Sequence, residues 1–231
     1  MGHGGSGRNV GLVNAGLWLP PDTVAAQLGA EAGEALNATL AAAPGRVFDL
    51  IERHAIACEP RRAGTLHLAH APAGLADLRN RAAQAQARGA PVTILDAAET
   101  TRRTGSVRFH GALHDPRAGT IQPLAYARGL ARAAAEAGAR IFEQSAVIAA
   151  EHHAGHWVLR TGAGKLRARH LLVATNAYHR PLDGPEPPEV PVVQFFQIAT
   201  EPLGHNIAGD ILPGGEGAWD TGLIMTALRR D

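Results

Sequence analysis

Apolar residues fall at helical spacing in the early part of the chain, once a glycine-rich opening has passed. Residues 1–20 form a Gly- and Asn-rich loop with apolar positions at Leu17, Trp18 and Leu19, closed by Pro20-Pro21. Helical spacing then predicts a helix from Asp22 to about Leu28. Leu36, Leu40, Val47, Leu50 and Ile51 share one face of a longer helical stretch, Glu31 to His54. Pro44-Gly45 interrupts it, so a break or two helices are expected there. Gly64 to Ala69 alternates like a half-buried strand. Ala73 to Arg88 is amphipathic, with Leu75, Leu78, Ala82 and Ala85 on one side, and Gly89 stops it. Val92 to Leu95 predicts a short strand. Asp96 is a good N-cap for a helix over Ala97 to Arg103, with Glu99 at its third position. Gly111 to His114 predicts another strand before the turn Asp115 to Gly119.

The second half reads differently. Leu124 to Ala137 is Ala-rich and helical and ends at Gly138; Ala139 to Glu143 predicts a strand, and Ala146 to Glu151 begins another. Trp157 to Thr161 and Lys165 to Arg169 predict strands flanking the turn Gly162-Ala163-Gly164. Leu171 to Thr175 is apolar without alternation, which predicts a central parallel strand buried on both faces. Residues 181–191 are Pro- and acid-rich and read as a linker, and Val192 to Thr200 is strand-like again. The class is α/β (α+β). The order helix, strand, hairpin, buried strand suits the second half of a dinucleotide-binding domain with a small antiparallel insert.

Composition narrows the function classes. The 231 residues are 45% apolar and 19% charged, ordinary for a globular protein, and the net charge of +1 gives no reason to expect nucleic acid or an anionic membrane as partner. The apolar runs are too short to span a bilayer. No basic segment followed by an apolar stretch opens the chain, so a cytoplasmic location is the default expectation. Cys58 is the single cysteine, which excludes an internal disulfide and a cysteine-built metal site. His152, His153 and His156 fall on a hairpin turn and read as solvated side chains rather than metal ligands. His114 and Asp115 are polar groups without an assigned acid or base role.

Gly2-His3-Gly4-Gly5-Ser6-Gly7 has the letters G-x-G-x-x-G, but that fingerprint needs a strand before it and a helix after it. No strand can precede residue 2, and Asn9-Val10-Gly11 opens a helix poorly, which also disfavours a nicotinamide-linked dehydrogenase built on this match.

The longer run Gly4-Gly5-Ser6-Gly7-Arg8-Asn9-Val10-Gly11 is more specific. It resembles the loop after the second strand in the D-amino-acid-oxidase and glycine-oxidase superfamily, where Gly-Ala-Ser-Gly-Arg-Asn-Gly-Gly wraps the FAD. Gly5 stands where the family often has Ala. Val10 stands where it often has Gly, and must therefore avoid a positive φ. Gln144 to Val147 resembles the family segment that meets the adenine, and Leu171 to Tyr178 resembles the turn beside the flavin. Gly64-Thr65-Leu66, Leu95-Asp96-Ala97, Gly111-Ala112-Leu113 and Gly119 to Leu124 are further family landmarks, most like those of bacterial gamma-glutamylputrescine oxidases.

The resemblance implies FAD as cofactor, held by Gly5, Ser6, Gly7, Arg8, Asn9, Val10, Gly11, Ala146, Val147, Ala174, Thr175 and Asn176. It implies oxidation of a small amine or amino acid to an imine by hydride transfer to flavin, with neither nucleic acid nor membrane as partner. Residues 1–60 and 123–189 would be a partial Rossmann-like FAD-binding domain lacking its first βαβ unit. Residues 61–122 and 190–231 would be an incomplete mixed-sheet substrate domain. Ser6 to Gly11 and Ala174 to Asn176 would meet at one end of the sheet. The resemblance covers essentially the whole chain and the middle of a longer enzyme. Neither the strand–helix turn that receives the pyrophosphate nor the acidic residue that takes the ribose is present. A chain of this kind is expected to be colourless and inactive by itself. The competing expectation is a catalytically silent remnant acting at most as a binding module.

Overall fold

The computed structural model describes residues 1–178 and 191–231, so of the expected linker only residue 191 lies within them. After β1 (Leu12–Val13), Pro21 opens α1 (Pro21–Leu28). Gly29, at φ +83, then turns the chain into α2 (Ala30–Ala41). The two helices touch at Gly33, where a Cβ would collide with the Ala25 backbone. The break foreseen at Pro44 is real. Ala42 separates α2 from α3 (Ala43–Arg53), and Pro44 sits in the first turn of α3, where no intrahelical N–H is needed.

Next come β2 (Thr65–Leu68), α4 (Pro72–Ala87), β3 (Thr93–Leu95) and α5 (Ala97–Thr104). The Asp96 carboxylate caps α5 by accepting from the Glu99 N–H at 2.7 Å. The Glu99 side chain does not return to the cap and instead accepts from Arg102 and Arg103. Then follow β4 (Ala112–Asp115), β5 (Gly119–Thr120) and α6 (Pro123–Glu136), whose first turn is capped by the Gln122 carboxamide accepting from the Ala125 N–H at 2.7 Å. β6 (Val147–His153), β7 (His156–Thr161) and β8 (Gly164–Ala168) precede a 3₁₀ turn, Asn176–Tyr178. A short α7 (His205–Ala208), β9 (Gly217–Asp220) and β10 (Ala227–Leu228) complete the described elements.

Two compact units result. The first, residues 1–134 and 197–231, holds a five-stranded sheet in the order β10-β9-β2-β4-β3. β2 pairs parallel with β9, Leu66 opposite Ala218, and antiparallel with β4, Leu66 opposite His114. Leu66, Leu68, Ala112, Leu212 and Ala218 form one core on this sheet. A second core of Val13, Phe48, Ile51, Ile56, Cys58 and Ile121 packs α3 against α6. The second unit, residues 135–196, is built around the antiparallel meander β6-β7-β8, with Ala149, Ala150 and Leu159 buried.

Three expected strands are not formed. Residues 139–143, 171–175 and 192–200 carry no regular structure. Leu171 to Thr175 was to be a central buried strand. Instead Leu172 is 87% and Val173 42% exposed. The reason is pairing: a strand buried on both faces needs neighbours on both edges, and this run joins none of the sheets among the described residues. The mixed α/β class stands, with β9, β10 and the two-stranded ribbon β1–β5 added to what the sequence pattern had suggested.

Candidate functional site

The glycine-rich opening folds as consecutive turns that lead into β1 rather than into a helix, so the G-x-G-x-x-G letters do not take up the fingerprint's geometry. Gly7 and Arg8 N–H groups donate to the Gly4 carbonyl at 3.0 and 3.1 Å. Asn9 holds the loop from inside: its carboxamide donates to the carbonyls of Gly5 (2.8 Å) and Ser6 (3.2 Å) and accepts from the Gly11 N–H at 2.8 Å. A carboxamide can do all three because it carries both a donor and an acceptor.

Two glycines are required by this packing. Gly7 lies against the Gly2 carbonyl and the Leu124 side chain of α6, where a Cβ would collide. Gly11 is buried at φ +80, and a Cβ there would meet the Ile121 carbonyl. Val10, the family departure, is half-buried and keeps a negative φ. The loop leaves through the β1–β5 ribbon, which the Ile121 N–H extends by donating to the Gly11 carbonyl at 2.9 Å. Arg229 donates to the Ile121 carbonyl beside Gly11, and Gln197 Nε2 donates to the Asn9 carbonyl at 3.3 Å. These two braces, from far along the chain, had no signal in the local sequence.

On the solvent side of the loop stand Ser6 and Arg8, both exposed, and no described residue engages the Ser6 hydroxyl or the Arg8 guanidinium. Gly5 is exposed, with its carbonyl held by Asn9.

The other expected cofactor residues lie in the second unit. Ala146 is exposed and precedes β6; Val147 is half-buried and pairs with Thr161. Ala174 and Thr175 are exposed. Asn176 takes φ +46 and opens the 3₁₀ turn, closed by the Tyr178 N–H donating to the Thr175 carbonyl at 3.0 Å. Asparagine is among the few non-glycine residues that adopt this left-handed backbone readily.

The sheet of the first unit carries polar groups the sequence left unassigned. Asp115 accepts a two-pronged interaction from Arg117 at 2.9 and 2.6 Å. His67 on β2 stacks on Trp219 of β9, its register partner, with ring centres 4.7 Å apart. Burial, aided by Arg81 of α4, pushes the His67 imidazole down to about 4, so it is neutral at physiological pH. His152 and His153 are exposed, and His152 meets Trp157 edge-on at 5.1 Å. Among the described residues no helix is long and apolar enough to cross a membrane.

Solved structures share the arrangement of sheet and helices. Glycine oxidase from Geobacillus kaustophilus superimposes with a TM-score of 0.60 at 26% identity, over 77% of this chain and 47% of that one. L-proline dehydrogenase from P. horikoshii shares the fold, with a TM-score of 0.53 at 17% identity over 60% of this chain. Residues 1–229 match the family described as FAD dependent oxidoreductase, and the chain belongs to that family. It is 33% identical over its whole length to the probable oxidoreductase OrdL of Rhizobium meliloti. It is 31% identical, over 92% of its length, to gamma-glutamylputrescine oxidoreductase of Escherichia coli. The chain spans about half the length of these curated relatives, 54% and 50%.

Proposed function

We propose that this chain supplies the cofactor loop and the substrate sheet of a cytoplasmic flavoenzyme that oxidises a small amine or amino acid, of the gamma-glutamylputrescine kind, to an imine. The observation that carries the reading is the loop Gly5 to Gly11. It is held from within by Asn9 and from outside by Arg229 and Gln197, and it leaves a hydroxyl and a guanidinium facing solvent. That donor set suits the phosphate and ribitol oxygens of FAD. FAD, when bound, supplies the acceptor for the substrate hydride.

In this reading Ser6 and Arg8 donate to the cofactor, and Gly5, Gly7 and Gly11 let the backbone approach it. Asn9 fixes the loop, and Val10 carries the chain past the ring. Ala146 and Val147 line the adenine, and Ala174, Thr175 and Asn176 lie against the flavin. Residues 1–60 and 123–189 form the FAD-binding part; residues 61–122 and 190–231 form the substrate part.

The test is a chimera in which a curated relative supplies the segments on either side of residues 1–231. It is expected to show a flavin absorbance band and to oxidise a small amine. Arg8→Ala in that chimera should weaken FAD about 10- to 100-fold, the worth of one charge-assisted contact at roughly 1.5–3 kcal/mol. The 231-residue chain alone should purify colourless, because no residue of it matches the pyrophosphate-receiving turn. A folded, colourless chimera overturns the proposal and favours the silent binding module.

A further inference from the structure

His114 and Glu216 stand on one face of the five-stranded sheet, outside the cofactor loop. Leu66 is opposite both His114 on β4 and Ala218 on β9, so these three share a face. Two residues back along β2 and β9, Gly64 and Glu216 belong to the same face. Gly64, at φ +83, puts no side chain between the two polar groups, and a Cβ there would stand 2.6 Å from His114 Nε2. The imidazole therefore reaches over the Gly64 backbone, on the side of the sheet where Glu216 stands.

Glu216 is deeply buried, its side chain only 6% exposed. Its Oε1 accepts from Arg103 Nη1 of α5 at a long 3.3 Å, and its Oε2 has no partner among the described residues. His114 Nε2 is also buried and without a partner among the described residues, and the Ala63 backbone favours the protonated ring. Arg103 has a second, shorter attachment, donating from Nε to Glu99 of its own helix at 2.8 Å. Two buried polar atoms without partners, one beside Gly64 and one in the residue before its hydrogen-bonded neighbour Gly217, are unusual. The imidazole becomes a donor at Nε2 when it takes up a proton.

We propose that His114, Glu216 and Arg103 form an acid-operated exchange latch: a proton from solvent, placed on His114 Nε2, makes the imidazolium the partner of Glu216 Oε2, and Arg103 is released to Glu99. The contact from α5 to the segment leading into β9 then opens. The charged groups around the imidazole set where this happens. Burial and the Arg103 cation hold its proton affinity down, while Glu216 before β9 and Asp115 on its own strand work the other way. Asp115 is itself neutralised by Arg117, Arg103 is shared with Glu99, and Arg61 lies beside Gly215. The net direction is downward, so the latch is closed at neutral pH and opens as pH falls below the ordinary histidine range.

The test is amide hydrogen exchange on the whole chain between pH 8 and 4.5, corrected for intrinsic rates. Peptides covering 97–104 and 211–217 should lose about tenfold protection in acid, while peptides of α3 do not. His114→Gln should abolish that acid loss, and Glu216→Gln should remove it or move it to lower pH. Nitrogen-15 titration of the unmodified chain provides a check that needs no variant. The His114 ring must titrate at the same midpoint as the opening. Unchanged acid behaviour in folded His114→Gln, or a ring midpoint separate from the opening, overturns the proposal.

Discussion

His67 makes the fold acid-sensitive, and the size of the effect follows from its surroundings. The imidazole stacks on Trp219 and feels the α4 charges of Arg81 and Asp77, and burial is the main reason its pKa falls to about 4. In the unfolded chain it titrates near its ordinary value of about 6.5. A depressed folded value means that the unfolded state binds the proton first. Stability from this group is therefore complete above the ordinary value and declines as pH falls, and the loss is full only below about 4. The complete shift corresponds to about 3 kcal/mol, of which about 2 kcal/mol is gone by pH 5. Urea unfolding at pH 8 and pH 5, for the wild type and His67→Phe, measures it by linear extrapolation. Phenylalanine keeps the stack on Trp219 and removes the titration. At pH 8 the variant should stay within about 1.5 kcal/mol of the wild type, because the swap keeps a ring of similar size on Trp219. Between pH 8 and 5 it should lose about 2 kcal/mol less than the wild type. Equal losses in the two proteins would refute the reasoning.

Two stability predictions rest on local geometry. Asp96→Ala removes the side-chain acceptor that caps α5 and should cost about 1 kcal/mol, read as a lower urea midpoint with an unchanged slope. Phe48→Ala empties the centre of the α3–α6 core, where Phe48 is 1% exposed, and should cost about 3–5 kcal/mol, seen as a large drop in melting temperature.

What could be read from the sequence was whatever is settled within a few turns of chain. Pro44 announced the break between α2 and α3, Asp96 announced the start of α5, and Gly89 and Gly138 lie just past the last turns of α4 and α6. The Gly-Ser-Gly-Arg-Asn run and the landmarks after it pointed to the flavoprotein family to which the chain belongs. Elements decided by distant partners were not legible in that way. Gly217 to Asp220 has no strand pattern of its own and becomes β9 because β2 offers it an edge. Leu171 to Thr175 has the pattern and lacks the edge. The same division holds at the candidate site. The Asn9 carboxamide bonds to residues at most four positions away, whereas Arg229 reaches Ile121 across 108 positions.

The parallel pairing of β2 with β9 has a kinetic consequence. His70, just past β2, bonds to Thr221, just past β9, across 151 positions. Until β9 has left the ribosome, the β2 edge it will cover is open backbone beside the apolar side chains of Leu66 and Leu68. Closing so large a loop is slow, and an open apolar edge recruits other chains in the meantime. During synthesis this edge is where a chaperone is most needed, and overexpression should fail there first, through strands of neighbouring nascent chains filling the position meant for β9.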